Sequence, residues 1–196
     1  DHLVRAWRET YGLPTIVTIW LAGVILAALR PLLSWLTVRR LRSRGTSRAP
    51  AEIESLTQHL ARRLKLPAIV RVLESTLASV PLVIGYFRPL ILLPVTVTTG
   101  LTLPQIEAIL AHELAHIRRQ DYLVNLLQTL IETAFFYHPA VWWLSTRTRQ
   151  ERENCCDDLA VQLIGNRISY SRALLAVEEL RGTPRLHPDS ALTVAA

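Results

Sequence analysis

The feature that most constrains this chain is the run Ala-His-Glu-Leu-Ala-His-Ile at residues 111–117. His112 and His116 are four residues apart, so on a helix both imidazoles lie on one face, one turn from each other. Two such rings can occupy two corners of a tetrahedral zinc site. Glu113, beside the first histidine, can then act as general base on a zinc-bound water. The motif predicts a zinc site on a helix, provided that its surroundings are helical.

The residues before this motif favour a helix that begins just upstream. Thr102 and Gln105 have the spacing of a capping box, and Pro104 lies near the predicted first turn, where its missing N–H costs little. Apolar residues surround the two histidines: Ile106, Ala108, Ile109, Leu110, Leu114 and Ala115. An ordinary buried helix with two incidental histidines is the alternative, but cap, packing and motif agree with one another.

A catalytic zinc needs a third protein ligand and one open position. The downstream candidates are His138, Glu153, Asp157, Asp158 and the two cysteines, Cys155 and Cys156. Glu153 would complete a His-His-Glu set, and Asp157, one helical turn on, could accept the N–H of a ligating histidine. Cys156 is the rival ligand because thiolate binds zinc well. His138 is expected to cap a helix, although a role as ligand or in steadying the reaction intermediate stays open.

An apolar segment near the start predicts a membrane helix. Residues 11–29 carry no charged side chain, and as a helix they would be about 28 Å long, close to the roughly 30 Å of a hydrocarbon core. Five arginines follow in a short run: Arg39, Arg40, Arg42, Arg44 and Arg48. A basic flank of this kind marks the cytosolic end of a membrane helix, so everything after Val38 is expected in the cytosol. A buried helix of a soluble core is the alternative.

The composition agrees with membrane association. Half of the 196 residues are hydrophobic and the mean hydropathy is +0.24. The net charge of +6 could suggest nucleic acid, but the arginines cluster after the apolar segment and no nucleic-acid-reading module accompanies them, so no direct nucleic-acid binding is expected. The two adjacent cysteines cannot easily bridge, which favours a reducing compartment. The chain has no methionine, and we expect it to be a fragment of a longer product.

The predicted fold class is α+β, mainly α: a zincin-like domain with a small β-sheet, attached to at least one transmembrane helix. Four segments are expected: a membrane helix with its basic flank at 1–42, a linker at 43–50, the metallopeptidase domain at 51–182, and a tail at 183–196. Short apolar runs predict strands at 68–73, 77–84 and 90–97, with a hairpin turn at 85–89 between the last two. One edge of this sheet is expected to run beside the zinc helix and to pair with an extended substrate.

Three further helices are predicted after the zinc helix. The first covers about 122–137, carries Asn125, Gln128 and Glu132 on one side of an otherwise apolar surface, and is expected to be capped by Asp121. The next runs from 140 to 164 and stops at Gly165, and the last covers 168–180. The segment at about 122–144 is therefore expected to form a membrane-proximal helical hairpin. Glu132 is expected to pair within the polar stripe.

Four runs carry a family resemblance: P-L-V-I-G-Y-F-R-P-L-I-L-L-P at 81–94, L-A-H-E-L-A-H-I-R-R-Q-D-Y at 110–122, F-Y-H-P-A-V-W-W-L at 136–144 and E-R-E-N-C-C-D-D-L-A at 151–160. Together they resemble the regulatory membrane zinc metallopeptidases typified by the β-lactam-sensing signal transducers of bacteria. More distant relatives are the membrane gluzincins that process prenylated proteins or degrade misfolded membrane proteins.

The resemblance implies zinc ligands at His112, His116 and Glu153, a catalytic glutamate at Glu113 and a supporting aspartate at Asp157. It implies a Zn²⁺ endopeptidase on the cytosolic side of the cytoplasmic membrane, multi-pass in the full protein, in contact with membrane lipid. The substrate would be a protein or peptide, such as a transcriptional repressor or the chain itself. Two other functions are considered: a housekeeping membrane protease, and a signalling module that binds zinc without turnover.

Overall fold

The structure, a computed structural model, describes residues 12–66, 69–85 and 88–181. Its elements in chain order are α1 (Leu13–Ser43), β1 (Thr46–Arg48), α2 (Ala51–Arg63), β2 (Arg71–Ser75), β3 (Leu82–Ile84), β4 (Leu90–Pro94), α3 (Val95–Gly100), α4 (Leu103–Arg119), α5 (Asp121–Ala134), α6 (Pro139–Ile164) and α7 (Arg167–Arg181). The described chain is mainly helical with one small sheet, which confirms the predicted fold class. The predicted tail at 183–196 lies outside the described residues.

Helix α1 is long and apolar enough to cross a membrane. It has 31 residues and continues through Pro31, and its most apolar window has a mean hydropathy of 2.1 with none of its residues buried. The last part of the helix packs onto the sheet, where Val38 is buried against Ile84, Leu90 and Leu92. The apolar part of α1 therefore lies beside the domain instead of inside its core, unlike the buried helix considered as the alternative.

The sheet has four strands in the order β1-β2-β4-β3. Strand β4 is buried at all five residues and pairs with β2 in parallel and with β3 antiparallel. Strands β3 and β4 pair antiparallel, as a hairpin requires, and Gly85 has φ +88, whereas residues 86 and 87 of the predicted turn lie outside the described residues. Strand β1 comes from the stretch predicted as a linker and pairs antiparallel with β2. The run at 90–97 is a strand only as far as Pro94, because α3 begins at Val95.

Helix α4, which carries the two histidines, lies at the centre of the domain. It contacts α2, α5, α6, α7 and β3, and Leu110, Ala111 and Leu114 on it are fully buried. Its start is as predicted: Gln105 Oε1 accepts hydrogen bonds from the backbone N–H of Thr102 at 2.8 Å and from its hydroxyl at 2.9 Å. Packing on five elements holds the histidine face in a fixed position.

Helices α5 and α6 pack against each other as a hairpin, and their polar side chains meet between them. Gln128 donates to the carbonyl of Ser145 at 3.1 Å, and Arg149 donates to Glu132 at 2.8 Å. Arg152 donates to Gln128 at 3.0 Å and also contacts Asn125. The polar stripe of α5 is thus covered by α6. Glu132 pairs with a polar neighbour, as expected, and this neighbour is Arg149 of α6. Helix α6 ends at Gly165 in the left-handed conformation, also as predicted.

Candidate metal centre

Three side chains predicted as metal ligands converge on one point. His112 and His116 stand one turn apart on α4, and their Nε2 atoms are 3.2 Å apart. Glu153 reaches the same point from α6, with Oε2 3.5 Å from His112 Nε2 and 3.8 Å from His116 Nε2. Ligand atoms about 2.0–2.1 Å from a tetrahedral zinc lie roughly 3.3 Å from one another. The donor types and their spacing fit a zinc ion at this point.

The other ring nitrogen of His112 faces a carboxylate. Asp157 Oδ1 lies 2.9 Å from His112 Nδ1, and the Tyr170 hydroxyl donates to the same Oδ1 at 2.6 Å. The phenolic oxygen is also 2.9 Å from His112 Nδ1. A carboxylate at this position accepts the Nδ1–H, which leaves the Nε2 lone pair directed at the convergence point. Asp157 and Tyr170 thus fix the orientation of the His112 ring.

His116 is held by a second carboxylate in the same manner. Asp121 Oδ2 lies 2.8 Å from His116 Nδ1, and the thiol of Cys156 donates to that Oδ2 at 3.3 Å. Asp121 was expected to cap α5. The structure instead places Gln120 at the N-cap, in the left-handed conformation with φ 57, and Asp121 turns back to His116. The cap prediction was therefore wrong.

Cys156, the rival ligand, lies on the far side of His116. Its Sγ is 3.3 Å from Nδ1, whereas Glu153 faces Nε2. Burial raises the pKa of this thiol well above its ordinary value, and the neighbouring Asp121 carboxylate raises it further. The thiol therefore donates to Asp121 as a neutral group. Cys155, its neighbour, is exposed.

Asp121 is a buried carboxylate held by cations as well as by the histidine. Its Oδ1 lies 3.6 Å from Arg119 Nε and 3.9 Å from Arg152 Nε. Burial acts to raise the pKa of Asp121, but the hydrogen bonds from His116 and Cys156 outweigh it and keep that pKa below its ordinary value. Asp121 remains an anion beside His116 even though it is only 4% exposed.

The centre as a whole stabilises positive charge. Burial acts to lower the pKa of His112, but Asp157 and Glu153 outweigh it and raise that pKa to about 10. The hydrogen bond from His112 lowers the pKa of Glu153 despite its partial burial. The pKa of Asp157 is also lowered, because its bonds to His112 and Tyr170 outweigh burial. A proton on His112 or a metal ion can supply the positive charge that these carboxylates favour.

Of the remaining predicted site residues, Glu113 lies near the converging ligands, whereas His138 and Asp158 do not join them. Glu113 follows His112 on α4 and is partly buried, next to the ligand face. His138 occupies the N-cap position of α6, fifteen residues from Glu153, which is roughly 22 Å along the helix. Asp158 is exposed. The structure therefore brings together His112, His116, Glu153 and Asp157, and it leaves His138 at the far end of the hairpin.

Three contributors were not found from the sequence: Tyr170, the role of Asp121, and Arg152. Tyr170 is on α7, 58 positions from His112, and no spacing pattern connects the two. Asp121 follows a left-handed residue whose conformation local sequence does not specify. The role of Arg152 could have been inferred from the sequence. It adjoins Glu153 and lies three residues after Arg149, which places both arginines on the same side of α6.

A helix with two histidines four residues apart, a glutamate from a second helix and a small mixed sheet define a metallopeptidase-type domain. The sequence model described as BlaR1 peptidase M56 matches residues 4–192, and the chain belongs to this family. This is the same family that the four sequence runs resemble.

Individual relatives give the same result. The "Regulatory protein BlaR1" of Bacillus licheniformis is 25% identical over 165 residues, which cover 83% of this chain and 27% of that protein. The "Methicillin resistance mecR1 protein" of Staphylococcus aureus (strain Mu50 / ATCC 700699) is 27% identical over 103 residues, covering 52% of this chain and 18% of the relative. The chain thus matches about a quarter or less of the length of these relatives.

Proposed function

We propose that the chain is a membrane-bound zinc endopeptidase whose metal is held by His112, His116 and Glu153. The observation that carries this proposal is the convergence of two imidazole nitrogens and one carboxylate oxygen within 3.8 Å of one another. This set is the His-His-Glu pattern of hydrolytic zinc sites. The carboxylates behind both rings add support, since ligating histidines usually donate their other N–H to such a group.

Zinc bound there would supply a Lewis acid that polarises the scissile carbonyl and makes a bound water more acidic. Glu113 accepts a proton on its carboxylate from the attacking water and passes it to the nitrogen of the leaving amine. During this proton transfer, Asp157 holds the Nδ1 proton of His112 and Asp121 holds that of His116. These residues orient the rings and need not touch the substrate.

The edge of the sheet offers a place for the substrate backbone. Among the described strands, β3 pairs only with β4, and it contacts α4. An extended peptide can add to such an edge through main-chain hydrogen bonds, which would hold its scissile bond near the histidine face. This supports a protein or peptide substrate that is recognised in extended form.

The setting of the site supports regulated proteolysis at the cytosolic face of the membrane. Helix α1 can span a bilayer, and its basic end, Arg39 to Arg44, adjoins the domain. The matched relatives are described as a regulatory protein and a resistance protein. We infer that this domain cleaves itself or a repressor in response to a sensor. A housekeeping protease would use the same chemistry.

A zinc-binding module without turnover would need a closed site with four protein ligands. Cys156 is the obvious fourth candidate, but its Sγ adjoins Nδ1 of His116 and its thiol donates to Asp121. The side chain of Glu153 is half exposed, so the point where the three ligands meet is open to solvent on that side. This arrangement favours an enzyme.

The test compares Glu113→Gln with Glu107→Gln, a second partly buried glutamate six residues earlier on the same helix. We expect Glu113→Gln to keep its zinc and to lose cleavage by at least about a hundredfold, because proton transfer by a positioned base contributes that much or more. His116→Ala should lose both zinc and cleavage, and Glu107→Gln neither. Zinc is measured by plasma mass spectrometry, and cleavage by mass spectrometry of a peptide library and of the chain itself. Wild-type cleavage by Glu113→Gln would contradict the mechanism.

A further inference from the structure

The hairpin of α5 and the first part of α6 exposes its apolar side chains. Six of them are between 46% and 69% exposed: Leu126, Leu127, Leu130, Phe135, Trp143 and Leu144. We call these six residues the hairpin outer face. A helix in contact with water has the opposite arrangement, with its polar residues outward. An exposed apolar surface of this size marks contact with another apolar phase or partner.

The polar residues of the hairpin are paired on the inside. Gln128 is 8% exposed and bonds to the Ser145 carbonyl and to Arg152. Glu132 forms an ion pair with Arg149, so two opposite charges compensate each other. Ionisable groups at membrane depth are tolerated when they face the protein and are paired in this manner.

The tip of the hairpin satisfies its own backbone. The N–H groups of Phe135, His138 and Val141 donate to the carbonyls of Ile131, Phe135 and His138, respectively. The indole of Trp142 donates to the carbonyl of Phe136 at 2.8 Å. Backbone groups at hydrocarbon depth must be satisfied internally, and this tip meets that condition at each of these positions.

Helix α1 fixes the depth of the hairpin. The indole of Trp20 donates to the carbonyl of Ala134 at 3.2 Å, and Gly23 lies against Phe136 so closely that a Cβ would be 2.1 Å from the ring. The guanidinium of Arg30 lies 5.9 Å from the ring centroid of Trp142. From Trp20 to Arg30 the helix rises about 15 Å, half of a hydrocarbon core of roughly 30 Å. The hairpin tip thus lies beside the middle of the apolar segment.

We propose that the α5–α6 hairpin inserts into the cytosolic half of the bilayer beside α1 and that the hairpin outer face contacts lipid acyl chains. Lipid is the occupant because this face adjoins the apolar surface of α1. Trp142 and Arg30 then lie near the interface, where aromatic and snorkelling basic side chains belong. The exposed Arg147–Glu151 ion pair lies beyond it, in water. The metal centre is at the base of this hairpin, next to the membrane surface.

The test uses the whole chain in vesicles of phosphatidylcholine and phosphatidylglycerol, with Cys155→Ser removing the exposed thiol. A nitroxide is attached at Leu130→Cys and, independently, at Leu127→Cys. Collision rates with oxygen, which concentrates in lipid, and with a water-soluble nickel complex are measured by electron paramagnetic resonance. Leu26→Cys on α1 and Ser171→Cys on α7 provide the reference positions, both exposed. Chain with Cys155→Ser alone measures labelling of the buried Cys156.

We expect the oxygen-to-nickel collision ratio at both hairpin positions to match that at Leu26 and to exceed that at Ser171 several-fold. A ratio equal to that at Ser171 would place the hairpin outer face in water. Low collision rates with both reagents would mean that protein covers it, either a second copy or another segment. Either result would overturn the proposal. The measurement does not depend on catalysis, so it remains decisive if the proposed function fails.

Discussion

Each candidate ligand histidine is backed by a carboxylate that itself receives a second hydrogen bond. Asp157 stands behind His112 and is bonded by Tyr170, whereas Asp121 stands behind His116 and is bonded by Cys156. The two arrangements differ in exposure, since the side chain of Asp157 is 41% exposed and that of Asp121 only 5%. Asp157 can therefore be changed with less risk to the fold.

We predict that Asp157→Asn weakens zinc binding by about ten- to a hundredfold, because an amide no longer holds the Nδ1–H of His112 as an anion does. Competition with a chromogenic chelator measures the affinity. Asp158→Asn, the exposed neighbour, is the matched control and should bind zinc like the wild type. Unchanged affinity in Asp157→Asn, with Asp158→Asn also unchanged, would show that Asp157 does not support the metal site.

At the residue scale the sequence predicted which side chains converge at the candidate site. The spacing of four on α4 and again between Glu153 and Asp157 places each pair on one helical face, and the structure brings all four side chains together. The partner of His116 could not be predicted in this manner. Asp121 reaches it only because Gln120 adopts a left-handed conformation, which the local sequence does not require.

At the scale of elements, Arg152 connects the metal site to the hairpin. Its side chain is 9% exposed, it contacts Asn125 and Gln128 on α5, and its Nε lies 3.9 Å from Asp121. The helices and strands themselves were largely predictable, because capping residues, apolar periodicity and terminal glycines determine an element through residues that are close in the sequence. The sequence showed the polar stripe on α5, but it did not show which arginines of α6 would cover it.

We predict that Arg152→Met lowers the free energy of unfolding by about 3 kcal/mol, because the amide oxygens of Asn125 and Gln128 lose their donor and the buried Asp121 loses one of its two neighbouring cations. Arg147→Met on the same helix removes an exposed pair with Glu151 and should cost at most about 0.5 kcal/mol. Denaturant unfolding in detergent micelles, followed by circular dichroism, measures both. Equal losses in the two variants would contradict the assigned role of Arg152.

At the scale of the whole molecule, the connections between elements were the least predictable part. Strand β4 pairs in parallel with β2 although β3 lies between them in the sequence, and strand order depends on packing that a local pattern does not encode. The stretch at 43–50 looked like a linker because its residues are small and polar, yet Thr46–Arg48 extends the sheet. The contacts of α1 with the hairpin are likewise long-range.

The proposed chemistry requires a metal held by two imidazoles and one carboxylate, with Cys156 outside the coordination sphere. X-ray absorption at the zinc edge, on the wild-type chain loaded with one equivalent of zinc, tests this directly. We predict only nitrogen and oxygen ligands at about 2.0–2.2 Å, and loss of this set in Glu153→Ala. A sulfur ligand at about 2.3 Å would contradict the account, because Cys156 would then replace Glu153 or close the site.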